Sequence, residues 1–222
     1  MSQRGTVDRW SLSSWLLYRP DHGNASLANA GQLGASQVGA RLAYDLSPKA
    51  AYSLAMHARV TSALQSPLGT EAALGMTWRP ARSLPLAFSV ERRIAVAEGG
   101  RNAFAAYAAG GAGPVPLMQG VLLEGYAQAG VVGASRTDPF IDGRITVGHR
   151  LQAVAGEKDL MVGIALSGGA QPSLSRLDIG PQISARLPIG KGHARLALEW
   201  RQRIAGRARP PSGLAVILSS DF

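Results

Sequence analysis

Hydrophobic and polar positions alternate with period two along most of the chain. The pattern is cleanest near the C-terminus. Over residues 193–203, Ala194, Leu196, Leu198 and Trp200 share one face, and Arg195, Ala197, Glu199, Arg201 and Arg203 share the other. A Gly/Pro-rich turn follows, and then Leu214, Val216, Leu218 and Phe222 fall on one face with Asp221 on the other. Successive side chains point to opposite sides of a strand, so this stretch predicts a hairpin with one apolar and one polar face, ending on an aromatic residue.

The same alternation predicts ten strands upstream, over 10–19, 37–46, 51–61, 71–79, 84–94, 101–109, 121–131, 140–150, 161–167 and 175–187. The 101–109 segment is weak and alanine-rich, and Pro181 costs the tenth strand a ladder proton. Turn residues separate the strands at 47–49, 65–69 and 80–84, and Pro114 and Pro116 mark a further loop over 110–120. The longest connection runs from about residue 20 to 35. About twelve strands of about ten residues match the number and length of a closed antiparallel up-and-down transmembrane β-barrel. The expected fold is therefore all-β, one barrel domain over 1–222, with 1–9 a disordered or linker segment. With both termini periplasmic, the turns at 47–49, 80–83, 110–120, 152–159 and 188–192 are periplasmic as well.

Alternation alone does not say which face points outward, since a soluble barrel turns its apolar face in and a membrane barrel turns it out. The polar face mixes Arg with Asp or Glu and with small residues. Arg41/Asp45, Arg59/Glu71, Glu91/Arg93, Asp142/Arg144, Arg176/Asp178 and Glu199/Arg201 are spaced to form an internal ladder of charge-assisted bonds. Tyr18, Tyr44, Trp78, Trp200 and Phe222 fall near strand ends, as an interfacial girdle requires. Apart from Arg92, near a strand end where it can snorkel, the apolar face is free of charge. These features favour the membrane arrangement and a bacterial outer-membrane location, with outer-membrane lipid as the surrounding partner.

Composition fits this picture. Charged residues make up 17% of the chain, below the quarter or so usual in soluble domains. No apolar run reaches the eighteen or so residues of a membrane helix. The net charge of +9 is carried mostly by arginine, with only Lys49, Lys158 and Lys191 as lysines. The arginines are spread through the strands without forming a basic patch with aromatics, so nucleic acid is not an expected partner. The 222 residues contain no cysteine, which removes disulfide and thiol chemistry. Met1 to Asp8 has no apolar stretch and does not read as a signal peptide. An outer-membrane protein needs one. The chain is therefore expected to be the C-terminal part of a longer exported protein, or to have a misplaced start, or to be soluble after all.

Familiar catalytic patterns are missing. His22, His57, His149 and His193 have no metal-ligand spacing, and no metal or cofactor is expected. His57 lies on the polar face between Ser53 and Thr61 and reads as a hydrogen-bonded interior histidine. No serine sits in a nucleophile-elbow context, and the glycine-rich stretches 31–34 and 110–113 lack the Lys-Ser/Thr of a phosphate loop. The chain is expected not to be an enzyme. The functional candidates are the residues of the polar face, expected to line the lumen: Arg41, Asp45, His57, Arg59, Glu71, Arg79, Glu91, Arg93, Glu124, Asp142, Arg144, Arg176, Asp178, Arg186, Arg195, Glu199, Arg201 and Arg203. Arginines outnumber acids among them, so the lumen is expected to attract anions or, equally, to be braced by its own ion pairs.

One resemblance refines the reading. Glu71-Ala-Ala-Leu-Gly-Met-Thr-Trp-Arg-Pro80, followed by Leu84-Pro-Leu-Ala-Phe-Ser-Val-Glu-Arg-Arg93, resembles the C-terminal barrel domain of the bacterial phage N-four adsorption protein A family, where a G-x-x-W-(R/K)-P strand leads into an L-x-x-x-x-E-R strand. Tyr126-Ala-Gln-Ala-Gly130 and Asp142-Gly-Arg144 are similar too, and the likeness covers residues 36 to 222. It implies an outer-membrane protein in exopolysaccharide export whose surface serves as a phage receptor, with a periplasmic export component as partner. The helical repeats that precede the barrel in that family are missing here. Three functions stay open: a narrow, porin-like, Arg-rich transport passage or anchor for an anionic polysaccharide or other solute, an autotransporter-type translocator barrel, and a soluble β-barrel holding a hydrophobic ligand. The translocator predicts a pore-plugging helix just before the first strand, for which 1–9 is too short and polar.

Overall fold

A computed structural model describes residues 8–20, 35–65, 69–134, 137–151, 159–190 and 192–222. These contain β1 (Trp10–Tyr18), β2 (Gln37–Asp45), β3 (Ser53–Ala63), β4 (Thr70–Arg79), β5 (Leu86–Ala95), β6 (Ala103–Met118), β7 (Val121–Gly133), β8 (Thr137–Leu151), β9 (Asp159–Gln171), β10 (Leu174–Ile189), β11 (Gly192–Gly206) and β12 (Gly213–Asp221). Each strand pairs antiparallel with its neighbours in sequence, and β1 pairs with β12, from Ser13↔Asp221 to Tyr18↔Val216, closing the barrel. Closure leaves no open edge.

Burial shows which face is out. Leu74 is 63% exposed, Val90 59% and Ile164 57%, whereas Glu91 is 3% exposed and Glu199 2%. The apolar face points away from the barrel axis and the charged face into it. The expected alternative of a soluble barrel with an apolar interior is thereby corrected, because its ligand would have to occupy a bore lined by buried Arg, Glu, Gln and Ser. The outward aromatics collect toward both ends. Trp10 packs on Tyr44 and Trp78 on Phe88 at the end that carries the termini. Tyr18, Phe104 and Trp200 lie toward the opposite end, called here the loop end.

Several strands run longer than alternation predicts. β6 continues through Pro114 and Pro116, so the expected loop over 110–120 shrinks to a turn at Gln119–Gly120. The β6–β7 register shifts between Ala112 and Val115 and again between Pro116 and Met118, and these irregularities absorb the missing ladder protons. Gly113 takes φ 128°, a conformation that favours glycine, within the first of them. Pro181 is accommodated in a related way: pairing to β11 passes from Ile179↔Gln202 to Gln182↔Glu199, so the proline sits where the ladder is interrupted. The expectations for 1–7, for most of the long connection after β1 and for the turn at 152–158 lie outside the described residues.

Candidate functional site in the barrel interior

The inward side chains form two charged networks on opposite walls. The first is built by β2 to β6 around Glu91, at mid-height. Arg59 Nη2 donates to Glu91 Oε1 at 2.5 Å and Arg93 Nε to the same oxygen at 2.8 Å. The other oxygen, Oε2, lies 3.4 Å from His57 Nε2 and accepts from the Tyr107 hydroxyl at 3.4 Å. On its far side His57 Nδ1 shares a hydrogen bond with Thr77 Oγ1 at 3.1 Å, and that hydroxyl also contacts Ser89 Oγ at 2.9 Å and accepts from Arg41 Nη2 at 2.8 Å. Period-two geometry puts residues i and i+2 of one strand on the same side, which is why Glu91 and Arg93 meet. The network closes across strands because residues opposite each other in register, such as His57 and Gly75, leave room where glycine stands. A Cβ on Gly75 would press on both His57 and Glu91.

The second network lies on β7 to β11. Glu199 takes Arg144 Nη1 at 2.5 Å and Arg201 Nε, while Arg144 Nη2 donates to Gln182 Oε1 at 2.5 Å. Nearer the terminal end, Glu124 accepts from Arg195 and from Arg186 at 3.5 Å. Nearer the loop end, Asp178 Oδ2 takes Arg176 Nε and Arg19 Nη1, the latter at 3.4 Å. Between the walls, Ala103, Ala105 and Val132 pack with Tyr107 and Phe140 as an apolar seam inside the bore.

The segment joining β11 to β12 folds inward over the loop end. Ala208 and Pro210 are fully buried. Three arginines hold its carbonyls: Arg176 Nη1 donates to Pro210 O at 2.6 Å, Arg19 Nη2 to Pro211 O at 2.8 Å, and Arg203 Nη2 to Pro210 O. Arg19 is itself fastened by Ser36, whose Oγ accepts from Arg19 N–H at 2.9 Å, and by Gln65, whose Nε2 donates to Arg19 O at 2.8 Å. Burial lowers the Arg19 guanidinium to about 10, so it stays charged at neutral pH. Sequence reasoning placed Arg19 at the end of the first strand, over 10–19, without counting it among the lumen-lining residues, although it stands in phase with Leu17 two residues before.

Of the pairs expected from sequence, Glu91/Arg93, Arg176/Asp178 and Glu199/Arg201 come together. The other three partner differently. Arg41 reaches Thr77 while Asp45 pairs with Arg82 at the terminal end, Arg59 takes Glu91 while Glu71 faces Arg93 at 3.9 Å, and Arg144 reaches Glu199 and leaves Asp142 aside. The reason is length. An extended Arg spans the bore or a neighbouring strand as readily as the step of about 7 Å to i+2. Arg79 is exposed at the terminal end of β4.

Beside the second network a cavity of about 210 Å³ opens inside the bore. Asp142, Arg144, Arg176, Asp178 and Arg201 line it together with Tyr126 and Phe140, and it reaches the loop end at Leu17, Gln37 and Gln171. Among the described residues no group of three or more His, Cys, Asp or Glu is placed to hold a metal ion.

No family model matches the chain, and no curated protein matches it. Solved structures do. The COG4313 outer membrane channel from Pseudomonas putida F1 superposes with a TM-score of 0.53 at 10% identity, covering 100% of this chain and 99% of the other. The β-domain of the Bordetella autotransporter BrkA aligns with a TM-score of 0.47 at 13% identity, covering 96% and 97%. LpxR from Salmonella typhimurium aligns with a TM-score of 0.43 at 12% identity, covering 96% and 99%. The fold is that of bacterial outer-membrane β-barrels. The expectation that the chain is not an enzyme does not stand, because the lack of a local motif gives no ground for excluding catalysis in a barrel interior. The physical reason is that an interior site draws one residue from each of several strands, and no local motif records it. His57, Thr77 and Glu91, from β3, β4 and β5, already show a hydroxyl, an imidazole and a carboxylate converging from 34 residues of sequence.

Proposed function

We propose that this chain is an outer-membrane barrel providing a narrow, arginine-lined passage for anionic solutes, with an acidic exopolysaccharide as the exported cargo and the loop end as a surface open to phage. The observation that carries the reading is the charge of the interior. Arg41, Arg59, Arg93, Arg144, Arg176, Arg186, Arg195, Arg201 and Arg203 face Glu71, Glu91, Glu124, Asp142, Asp178 and Glu199, an excess of positive charge in a low-dielectric bore. Such an excess focuses the field and raises the local anion concentration. The polysaccharide assignment rests on the resemblance of residues 71–93 to the exopolysaccharide-export family. A planar bilayer with a KCl gradient tests it. The expected result is a reversal potential displaced toward that of chloride, shrinking in high salt. Cation preference overturns the reading.

The competing reading is a closed anchor, and one observation favours it: the inward fold of 207–212, held by Arg19, Arg176 and Arg203. It predicts a barrel that is heat-modifiable on gels yet silent in the bilayer.

A further inference from the structure

We propose that a groove on the outward face of β4 to β7 holds one molecule of an anionic phospholipid, with an acyl chain along the groove and the phosphate on a cationic rim formed by Lys49, Arg79 and Arg82. Register makes the groove. Trp78, Phe88 and Ala108 are successive neighbours in one outward row, and Met76, Val90 and Ala106 in the next. Side chains therefore drop from large on β4 and β5 to a methyl group on β6, and Ala129, opposite Ala108, continues the low ground onto β7. The stack of Trp78 on Phe88, 5.7 Å between ring centres, walls one side, and Val131 borders the other. The depression measures about 620 Å³, within the ~300–1,000 Å³ range of small-molecule sites. The polar residues that border it, Ser89 and Tyr107, turn their hydroxyls inward to Thr77 and Glu91. What remains is an apolar trough on the lipid-facing surface, which surrounds a hydrocarbon chain with more contacts than a flat wall gives.

The rim sets the headgroup. Beyond Trp78 and Leu54, which line the groove at its terminal end, the turns 46–52 and 80–85 meet. Arg82 ties them together: Nε donates to Ala50 O at 3.0 Å, and Nη2 to Ser47 O and Asp45 Oδ2, both at 2.7 Å. Lys49 stands in the first turn and Arg79 directly follows Trp78. Both are exposed, and neither has a hydrogen-bond or ion-pair partner among the described residues. Three cations thus face one acid, Asp45, at the level where Trp78 and Phe88 belong to the aromatic girdle. A phosphate there accepts charge-assisted bonds from groups that otherwise lack an anion. A zwitterionic headgroup would bring its own ammonium to a rim already positive. The class of lipid follows from the end of the barrel. Short turns such as Gln119–Gly120 join strands at the terminal end, and the long 19–36 connection lies at the loop end. Short turns mark the periplasmic side, where the leaflet is phospholipid and not lipopolysaccharide.

The test is native mass spectrometry of the full chain, refolded from denaturant into detergent so that it starts without lipid. It is then mixed in turn with phosphatidylglycerol, phosphatidylethanolamine of the same acyl chains, and lipopolysaccharide. One phosphatidylglycerol per barrel is expected to survive the collision energy that strips further copies. Its retention should exceed that of phosphatidylethanolamine roughly tenfold, the scale of one to two cations near a membrane surface. Ala108→Phe, which fills the groove, is expected to cut retention of both phospholipids. Lys49→Gln combined with Arg79→Gln is expected to bring phosphatidylglycerol down to the level of phosphatidylethanolamine and leave the latter unchanged. All variants should keep the mobility shift between unboiled and boiled samples. Stepwise loss of equivalent lipids with no discrete first copy, equal retention of the two phospholipids, tighter lipopolysaccharide, or unaltered retention in Ala108→Phe overturns the proposal. So does a lipid-free dimer that Ala108→Phe disperses, which would give the groove to a second copy of the chain. Should a variant fail to fold, the three-lipid comparison on the unaltered chain still decides. The site stands on the outer face and is independent of any passage through the bore.

Discussion

The two charged walls of the bore use the same residues and are finished differently. Around Glu91 the hydroxyls of Thr77, Ser89 and Tyr107, the imidazole of His57 and the guanidinium groups of Arg59 and Arg93 close on one another, and both carboxylate oxygens are engaged. Around Asp178 and Asp142, one oxygen of each carboxylate is left over, and the space beside them is open. A carboxylate engaged at both oxygens braces, because each partner opposes the displacement of the others, even though Arg59 Nε in the same wall has no hydrogen-bond partner among the described residues. An incompletely engaged one costs stability unless something supplies the missing partner. The difference separates a half of the interior whose central carboxylate is engaged at both oxygens from a half in which Asp142 and Asp178 are each engaged at fewer.

The strongest way to break this comparison is Glu91→Ala. It removes the shared acceptor of Arg59, Arg93 and Tyr107 and leaves buried cations facing each other. The expected loss is about 3–5 kcal/mol, the scale for breaking a buried pair from one side. Urea unfolding of the refolded barrel in detergent, followed by tryptophan fluorescence, measures it. A loss below ~1 kcal/mol would mean that the Glu91 wall is no more a brace than the other.

Arg19→Ala comes next. It frees one of the three carbonyl clamps on 207–212 and withdraws a partner from Asp178. Hydrogen bonds to charged groups contribute about 1.5–3 kcal/mol, and the loss should fall on the loop end while the Glu91 wall stays intact. Limited trypsin digestion reads this locally: cleavage after Arg207, which is exposed beside buried Ala208, should accelerate several-fold in the variant. Equal rates would show that the segment is held by its own packing. Asp142→Asn should then cost under ~1 kcal/mol in the same urea assay, since its Oδ1 has no partner to lose. A penalty as large as that of Glu91→Ala would erase the distinction between the walls.

The barrel itself was legible from alternation because a membrane strand must sort its side chains strictly, and a single slip would put a whole polar set into lipid. Strand ends were less legible. Pro114, Pro116 and Pro181 are turn or breaker residues by local rule, and only the shifted register to β7 and the gap in the pairing to β11 reveal how a sheet holds them. The inward residues were legible as a set and not as pairs. Arg41, Arg59 and Arg144 choose partners on other strands, a matter of bore width that no spacing encodes. The loop-end closure was invisible for a similar reason: Arg19 and the Pro211 carbonyl it holds are nearly the whole chain apart.

Arg92 offers the finest test, because it stands on the outward face and belongs to neither wall. Its register neighbours are Leu74 on β4 and Phe104 on β6, and its guanidinium lies 4.7 Å from the centre of the Phe104 ring. A cation over an aromatic face near a strand end recovers part of the cost of leaving water, about 0.5–1 kcal/mol at exposed sites, while a charge on the lipid face costs ~0–1 kcal/mol near the interface and ~2–4 kcal/mol at the midplane. These terms nearly cancel if Arg92 sits at the interface, so Arg92→Leu should change unfolding free energy by less than ~1 kcal/mol. The same substitution at mid-depth would stabilise by several times that amount. Measured in bilayers of two thicknesses, the size of the change locates Arg92 relative to the hydrocarbon boundary and so fixes how much of the bore, the cavity included, lies within the membrane.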